Sequence, residues 1–293
     1  MKIKKSDFLC KNVRCDGDLY LPEKVEKPPV VIMAHGFAAQ KDFRLPAFAE
    51  RFVKKNMAAF IFDYRTFGKS DGTPRHIVDP FSHVEDWHAA IAHVRTLGDV
   101  DVNRIALWGT SFCGGHVITC AASDNKISAL VSQIPFVSSI SSIRLNGFTD
   151  NALSTVYGLY DLIRGSLTLS PHYSPFIAIP GCFAVMNTAE SYPGYMSMIA
   201  EDSTWENKMA SRGFIKLSMY NPISKAKKVT APSLVMAARY DSLFPLDDVK
   251  KLAKKILNSK LIVVECNHFE PYTGKFFEQF VGHQSVFLEK HLF

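Results

Sequence analysis

No C-x-x-C pair occurs among the six cysteines (Cys10, Cys15, Cys113, Cys120, Cys182 and Cys266), so neither a zinc ribbon nor a dense disulfide scaffold is suggested. Reduced thiols in a cytoplasmic protein fit this usage best. No apolar run approaches the roughly 18 residues of a membrane span. Lys2, Lys4 and Lys5 resemble the basic start of a signal peptide, but Ser6, Asp7, Lys11 and Arg14 follow where an apolar stretch is required. Neither a membrane span nor export is therefore expected. Clustered charge is also scarce. The formal net charge is +6, yet Lys and Arg are spread along the chain, with local excess only at the N-terminus and in Lys250 to Lys255. On a helix the latter reads as a solvated face, and no nucleic-acid partner is expected. There is no internal repeat and no low-complexity tract.

What remains is an ordinary globular composition, with 47% hydrophobic and 21% charged residues over 293 positions. That length suits one α/β domain with an insertion. Val30-Val31-Ile32-Met33-Ala34 is a continuous apolar run ending at His35-Gly36, the pattern of a strand buried on both faces of a parallel sheet. Leu45, Phe48, Ala49, Phe52 and Val53 then fall at helical spacing, and Ala58 to Tyr64 is the next apolar strand, which completes a β-α-β unit. Ser82 with Glu85 reads as a capping box before the helical face of Val84, Trp87, Ile91 and Val94. Further strands are predicted at Arg104 to Trp108, Ala129 to Ile134, Ser233 to Ala237 and Leu261 to Val264. Helices are predicted at Gly114 to Ala122, around Val249 to Leu257, and at the C-terminus. The alternation specifies a mostly parallel central sheet flanked by helices.

That alternation breaks between about Val137 and Pro222, where Ser, Gly, Pro, Tyr, Phe and Met dominate and helices look short. The expected organisation is a core of residues 1–137 and 223–293 with a cap of residues 138–222 over the carboxyl edge of the sheet, where ligands of open α/β sheets bind. A lid is one reading of the insertion. A structural arm or dimer contact is the other, and it keeps a homodimer open.

Gly109-Thr110-Ser111-Phe112-Cys113-Gly114-Gly115 follows a buried strand and opens a helix, which raises Ser111 on a tight turn above the sheet. Cys113 stands where the G-x-S-x-G pattern has its last glycine. A serine hydroxyl is a poor nucleophile until a base takes its proton, so a histidine and an orienting acid are required. Asp241 follows one strand ahead of Pro245, and His268 closes the last strand. The order Ser, acid, His, with each member just after a strand, brings the three to one edge.

On these strings, together with His35-Gly36-Phe37 and Asp63 to Gly72, the chain resembles the α/β-hydrolase superfamily. Within it the chain looks like the serine esterase and peptidase branch of dienelactone-hydrolase-like, acetyl-xylan-esterase-like and X-prolyl-dipeptidyl-peptidase-like proteins. The resemblance implies an α/β-hydrolase fold with Ser111 as nucleophile, His268 as base and Asp241 as acid. It also implies an oxyanion hole from the Phe37 and Phe112 backbone N–H groups. The expected activity is hydrolysis of a small to medium carboxylic ester or thioester through an acyl-enzyme, with no metal or organic cofactor. A peptidase or amidase on the same residues, or a non-catalytic ligand-binding member of the fold, are the alternatives. Gly68-Lys69-Ser70 fails as a P-loop because Asp63 stands where its first glycine belongs. His83, His88 and His93, at spacings of five, do not share a helix face for zinc.

Overall fold

The computed structural model describes residues 1–145 and 147–293. Its strands are β1 (Lys2–Lys5), β2 (Phe8–Cys10), β3 (Val13–Cys15), β4 (Gly17–Leu21), β5 (Pro29–Ala34), β6 (Ala58–Phe62), β7 (Asp101–Thr110), β8 (Ala129–Gln133), β9 (Tyr173–Ser174), β10 (Met209–Ala210), β11 (Ser233–Ala238) and β12 (Ser259–Val264). The helices are α1 (Leu45–Val53), α2 (Pro80–Val94), α3 (Phe112–Ala121), α4 (Ser139–Leu145), α5 (Phe148–Ser166), α6 (Ser191–Met196), α7 (Gly213–Ser218), α8 (Leu246–Lys255) and α9 (Gly274–Leu292).

Eight strands form one sheet in the order β1-β4-β6-β5-β7-β8-β11-β12. From β6 to β12 all neighbours are parallel, while β4 runs antiparallel to both β1 and β6. β5, β6, β8 and β11 are buried along their whole length, as continuous apolar runs in a sheet covered on both faces require. Helices α1 and α9 pack together, as do α2 and α3, and α8 packs on β11 and β12. This is the α/β-hydrolase architecture. The chain reverses direction across the sheet between β5 and β7, so the segments after these two strands face each other across the switch-point crevice.

Three expectations need correction. Helix α2 starts at Pro80 and is capped by Asp79, whose side chain accepts the Phe81 N–H at 2.9 Å. A proline preset for the first helical position and an aspartate before it displace the Ser82–Glu85 box. Glu85 instead pairs with Lys11 and Arg65, at 2.6 and 2.9 Å. The antiparallel strands β1 to β4 were not anticipated, because strands of three to five residues, the edge strand β1 with three lysines among its four, are too short to show a clear apolar pattern. Finally, the inserted segment is not built of short helices alone, since α5 runs for 19 residues.

The inserted segment comprises α4 to α7 with the two-stranded ladder of β9 and β10. Its internal staple is Asp161, fully buried on α5. The carboxylate accepts from Arg212 Nε at 2.8 Å and Nη2 at 3.1 Å, and from the backbone N–H groups of Arg212 and His172, each at 2.8 Å. Burial works against the charge, but these donors more than offset it and hold the carboxyl below its ordinary range. The segment reaches the core through Tyr195, whose hydroxyl donates to the Phe37 carbonyl at 2.9 Å, and Trp205, whose indole donates to the Ala38 carbonyl at 3.2 Å.

Candidate active site

Ser111 sits between β7 and α3 with φ 55° and ψ −123°, a backbone conformation that costs a non-glycine residue on the order of 1–3 kcal/mol. The turn survives because its surroundings leave no alternative. The Ser111 N–H is held by the Gln133 carbonyl at 2.9 Å, and the Ser111 carbonyl accepts from the Gly114 and Phe136 N–H groups, both at 2.9 Å. A Cβ on Gly109 would lie 2.4 Å from the Cys113 carbonyl oxygen, so only glycine fits at that crossing. Cys113 does not loosen the turn. Its side chain points into the core, where Tyr64 donates to the sulfur at 3.2 Å and burial pushes the thiol up to about 12. It is not placed to act as a nucleophile.

Ser111, His268 and Asp241, which come from the ends of three strands, meet here. Ser111 Oγ lies 3.0 Å from His268 Nε2, and His268 Nδ1 lies 2.8 Å from Asp241 Oδ2. An ionised carboxylate only accepts, so Nδ1 carries the proton and Nε2 is left to accept from the serine hydroxyl. The other Asp241 oxygen accepts from the Leu243 and Phe244 N–H groups at 2.8 and 2.9 Å. Both the imidazole and the carboxylate are almost completely buried.

Phe37 and Phe112 line the cavity beside Ser111. Phe112 is the first residue of α3, so its N–H has no acceptor within the helix. Gly36 abuts the serine, for a Cβ there would lie 3.2 Å from Ser111 Cβ. His35 Nδ1 is 3.0 Å from the Gly36 carbonyl and must be its donor. A trans peptide turns the Phe37 N–H away from that carbonyl. Burial keeps the His35 imidazole neutral and pushes it down to about 4.

Sequence reasoning missed several supporting residues. Glu190, from the inserted segment, receives the Ser242 N–H at 3.1 Å, the Ser242 hydroxyl, and the His268 N–H at 3.2 Å. One carboxylate thus ties together the loops that carry Asp241 and His268. Behind the serine, Tyr272, Thr110, Gln133, Gln284 and Trp108 form a chain of buried hydrogen bonds between 2.6 and 3.0 Å. A glutamate on an irregular loop and two isolated glutamines leave no periodic trace in a sequence. Tyr192 and Met196 are exposed, whereas Tyr195 and Met198 are buried near the serine. His83 is stacked on Tyr64 at 4.1 Å, while His93 bonds to Ser6 at 2.9 Å. Among the described residues, no group of three His, Cys, Asp or Glu side chains is arranged to hold a metal ion. No described helix is long and apolar enough to cross a membrane.

Above Ser111 lies a cavity of about 330 Å³. Around the serine its wall is apolar, made by Phe37, Phe112, Phe136, Met186 and Phe244. The inserted segment supplies the rest of the wall, with a polar cluster of Asp150, Asn151, Ser154 and Thr155 of α5 facing Asn187, set among apolar residues such as Ile143, Val185, Phe214 and Leu217. Asp150 accepts from Asn187 Nδ2 at 2.9 Å.

The chain is 38% identical to the quorum-quenching protein AidA of Acinetobacter baumannii over 284 residues, covering 97% of this chain and 93% of that protein. It is 37% identical to the thiohydrolase aneE of Aspergillus aculeatus over 121 residues, covering 41% of this chain and 37% of that protein. The crystal structure of the α/β-hydrolase GrgF from a Penicillium species superposes with a TM-score of 0.86 at 21% identity, covering 100% of this chain and 99% of that one, a likeness of fold. Residues 26–267 match the family described as serine aminopeptidase, S33, and with more than half its length matched the chain belongs to that family of α/β-hydrolases.

Proposed function

We propose that this protein is a serine hydrolase that cleaves carboxylic esters or thioesters. The observation that carries the reading is the continuous hydrogen-bonded line from Ser111 Oγ through His268 to Asp241, with Ser111 at the wall of a cavity of about 330 Å³. Ser111 attacks the substrate carbonyl while His268 Nε2 takes its proton. The resulting imidazolium gives that proton to the departing alcohol or thiol, leaving an acyl ester on Ser111. Water then attacks this ester, His268 again accepting a proton, and the acid is released with the serine restored. The Phe37 and Phe112 N–H groups hold the oxyanion of each tetrahedral intermediate, each worth roughly 2.7–4 kcal/mol. Residues 138–222 serve as the lid, which supplies a cluster of polar side chains, Asp150, Asn151, Ser154, Thr155 and Asn187, in an otherwise largely apolar cavity. A substrate with an apolar portion beside the carbonyl and polar groups farther out fits both walls. The name of one relative, a thiohydrolase, agrees with a thioester substrate.

Fluorophosphonate labelling and hydrolysis of nitrophenyl esters and acyl thioesters of increasing chain length test this. Wild type should label and turn over, and Ser111→Ala should do neither. Equal labelling of the two removes the assignment.

Amidase or aminopeptidase action is the second reading. It rests on the family's description and on Asp150, a carboxylate in the cavity wall that would pair with a substrate ammonium. Turnover of aminoacyl amides above that of the esters would favour it.

A further inference from the structure

Helix α5 presents three faces. Asp150, Asn151 and Ser154 look into the cavity, and Gly158 and Asp161 pack on α7 and Arg212. The third face is open to solvent and consists of Phe148, Ala152, Val156, Leu159, Tyr160, Ile163 and Leu167, with Thr149 and Ser166 between them. Phe148 is 89% exposed, and Val156 and Ile163 are each 60% exposed. A solvent-facing helix normally turns its charged residues outward. From 148 to 170 none of the exposed residues carries a charge, and the three charged residues of this stretch, Asp150, Asp161 and Arg164, are all at least partly withdrawn.

We propose that this face pairs α5 with the same helix of a second copy of the chain, antiparallel about a two-fold axis. Val156, Tyr160, Ile163 and Leu167 recur at steps of four, three and four, the spacing of a helix-to-helix seam. The six large apolar side chains leave open roughly 700 Å² if each whole residue presents about 200 Å². With the small residues between them, the face reaches the about 800 Å² that a stable interface takes from each partner. A two-fold contact sets a surface against itself, and an uncharged surface meets no repulsion from its copy. A lipid surface is the poorer match, because interfacial helices flank their apolar side with Lys and Arg. Here residues 148–170 contain no lysine, and the one arginine, Arg164, is folded back onto the Ser170 carbonyl at 2.8 Å and over the Tyr160 ring. The opposite side of the helix is cavity wall, so the pairing braces the site in both copies.

Sedimentation velocity of the full chain tests the assignment. Wild type should sediment at twice the 32.8 kDa chain mass. The double variant Val156→Glu, Ile163→Glu sets like charges against each other, and its dimer should weaken by about 100-fold or more with unchanged circular dichroism. Tyr160 stands mid-seam, so Tyr160→Cys in a Cys182→Ser background, which lacks the exposed thiol, should form a disulfide-linked dimer on mild oxidation, and Cys182→Ser alone should not. A single-chain mass at protein concentrations on the order of 100 µM overturns the proposal. So does a dimer indifferent to the glutamates, or a monomer that co-sediments with phosphatidylcholine or phosphatidylglycerol vesicles through this face. None of these readouts depends on Ser111, so the pairing and the hydrolase reading fail separately.

Discussion

Replacing Asp241 by asparagine is the sharpest test of how His268 is held. The side chain keeps its shape, so everything turns on which end of the amide faces the imidazole. Oδ1 of the carboxylate accepts from two backbone N–H groups, Leu243 at 2.8 Å and Phe244 at 2.9 Å. An asparagine NH2 in that place would meet two donors with nothing to accept it, which costs about 1–3 kcal/mol for each lost bond. The amide oxygen therefore stays in the turn and the NH2 faces His268 Nδ1. Nδ1 must then accept, so its proton moves to Nε2, 3.0 Å from Ser111 Oγ, and the base has no lone pair left for the serine. The same exchange of tautomer in a serine protease lowers kcat about 10⁴-fold, and a loss of that order, about 5 kcal/mol of barrier, is expected here. Both turn bonds survive, so the melting temperature should hardly move. Steady-state ester hydrolysis beside a thermal melt reads both quantities. A folded Asp241→Asn variant within tenfold of wild type would refute the reasoning.

Glu190→Ala removes the acceptor shared by the Asp241 and His268 loops, and kcat for a nitrophenyl ester should fall by about 10²-fold, the cost of a small misplacement of reacting groups. Glu190→Gln keeps an oxygen and should restore most of it, and an alanine variant within threefold of wild type removes the role. Buried His116, held at about 3 by desolvation, stays neutral while the unfolded chain protonates near 6.5, so its stability cost is absent at neutral pH and grows as pH falls through 6.5. His116→Gln should therefore gain about 2 kcal/mol relative to wild type between pH 7 and pH 5 in urea unfolding. His35, which acts in the same direction, and Asp63, raised by burial to about 7 and acting oppositely, are common to both proteins and cancel. An unchanged difference between the two pH values would mean that His116 is not buried neutral.

The sheet was readable because a strand covered on both faces must be apolar throughout, and β5, β6, β8 and β11 announce themselves as unbroken runs. The positions of Ser111, Asp241 and His268 were readable for a related reason. In a parallel sheet every strand ends at the same edge, so a polar residue just after an apolar run is assigned to that edge before any contact is known. Ser111 carried further information in its glycine, since the crossing at Gly109 admits no Cβ. Glu190 had none of these marks. Two of its three partners are backbone N–H groups, which every residue presents alike, and the third is a serine hydroxyl on a loop, so little in the sequence of its partners points back to it. The capping error at α2 came from weighing a Ser–x–x–Glu string above an Asp-Pro pair that begins three residues earlier, although the proline has no N–H to lose at a helix start.

The inserted segment was misread for a physical reason that bears on what it does. Helical periodicity in a sequence is the record of one apolar face buried against a core. In α5 the residues packed on α7 include Gly158 and Asp161, and those facing the cavity include Asp150, Asn151 and Ser154, so much of the inward surface is small or polar, Tyr157 against His172 and Phe183 being an exception. Most of the large apolar residues lie on the outward side, interleaved with Thr149 and Ser166. Such a helix gives a mixed pattern that matches neither a surface helix nor a buried one. If a second copy covers the outward side, the pattern becomes consistent: α5 is then a buried helix whose core lies partly in another molecule. Tertiary packing rather than intrinsic propensity supplies most helix stability. The glutamate substitutions at positions 156 and 163 should consequently lower the melting temperature of the dimer while leaving that of the dilute monomer unchanged.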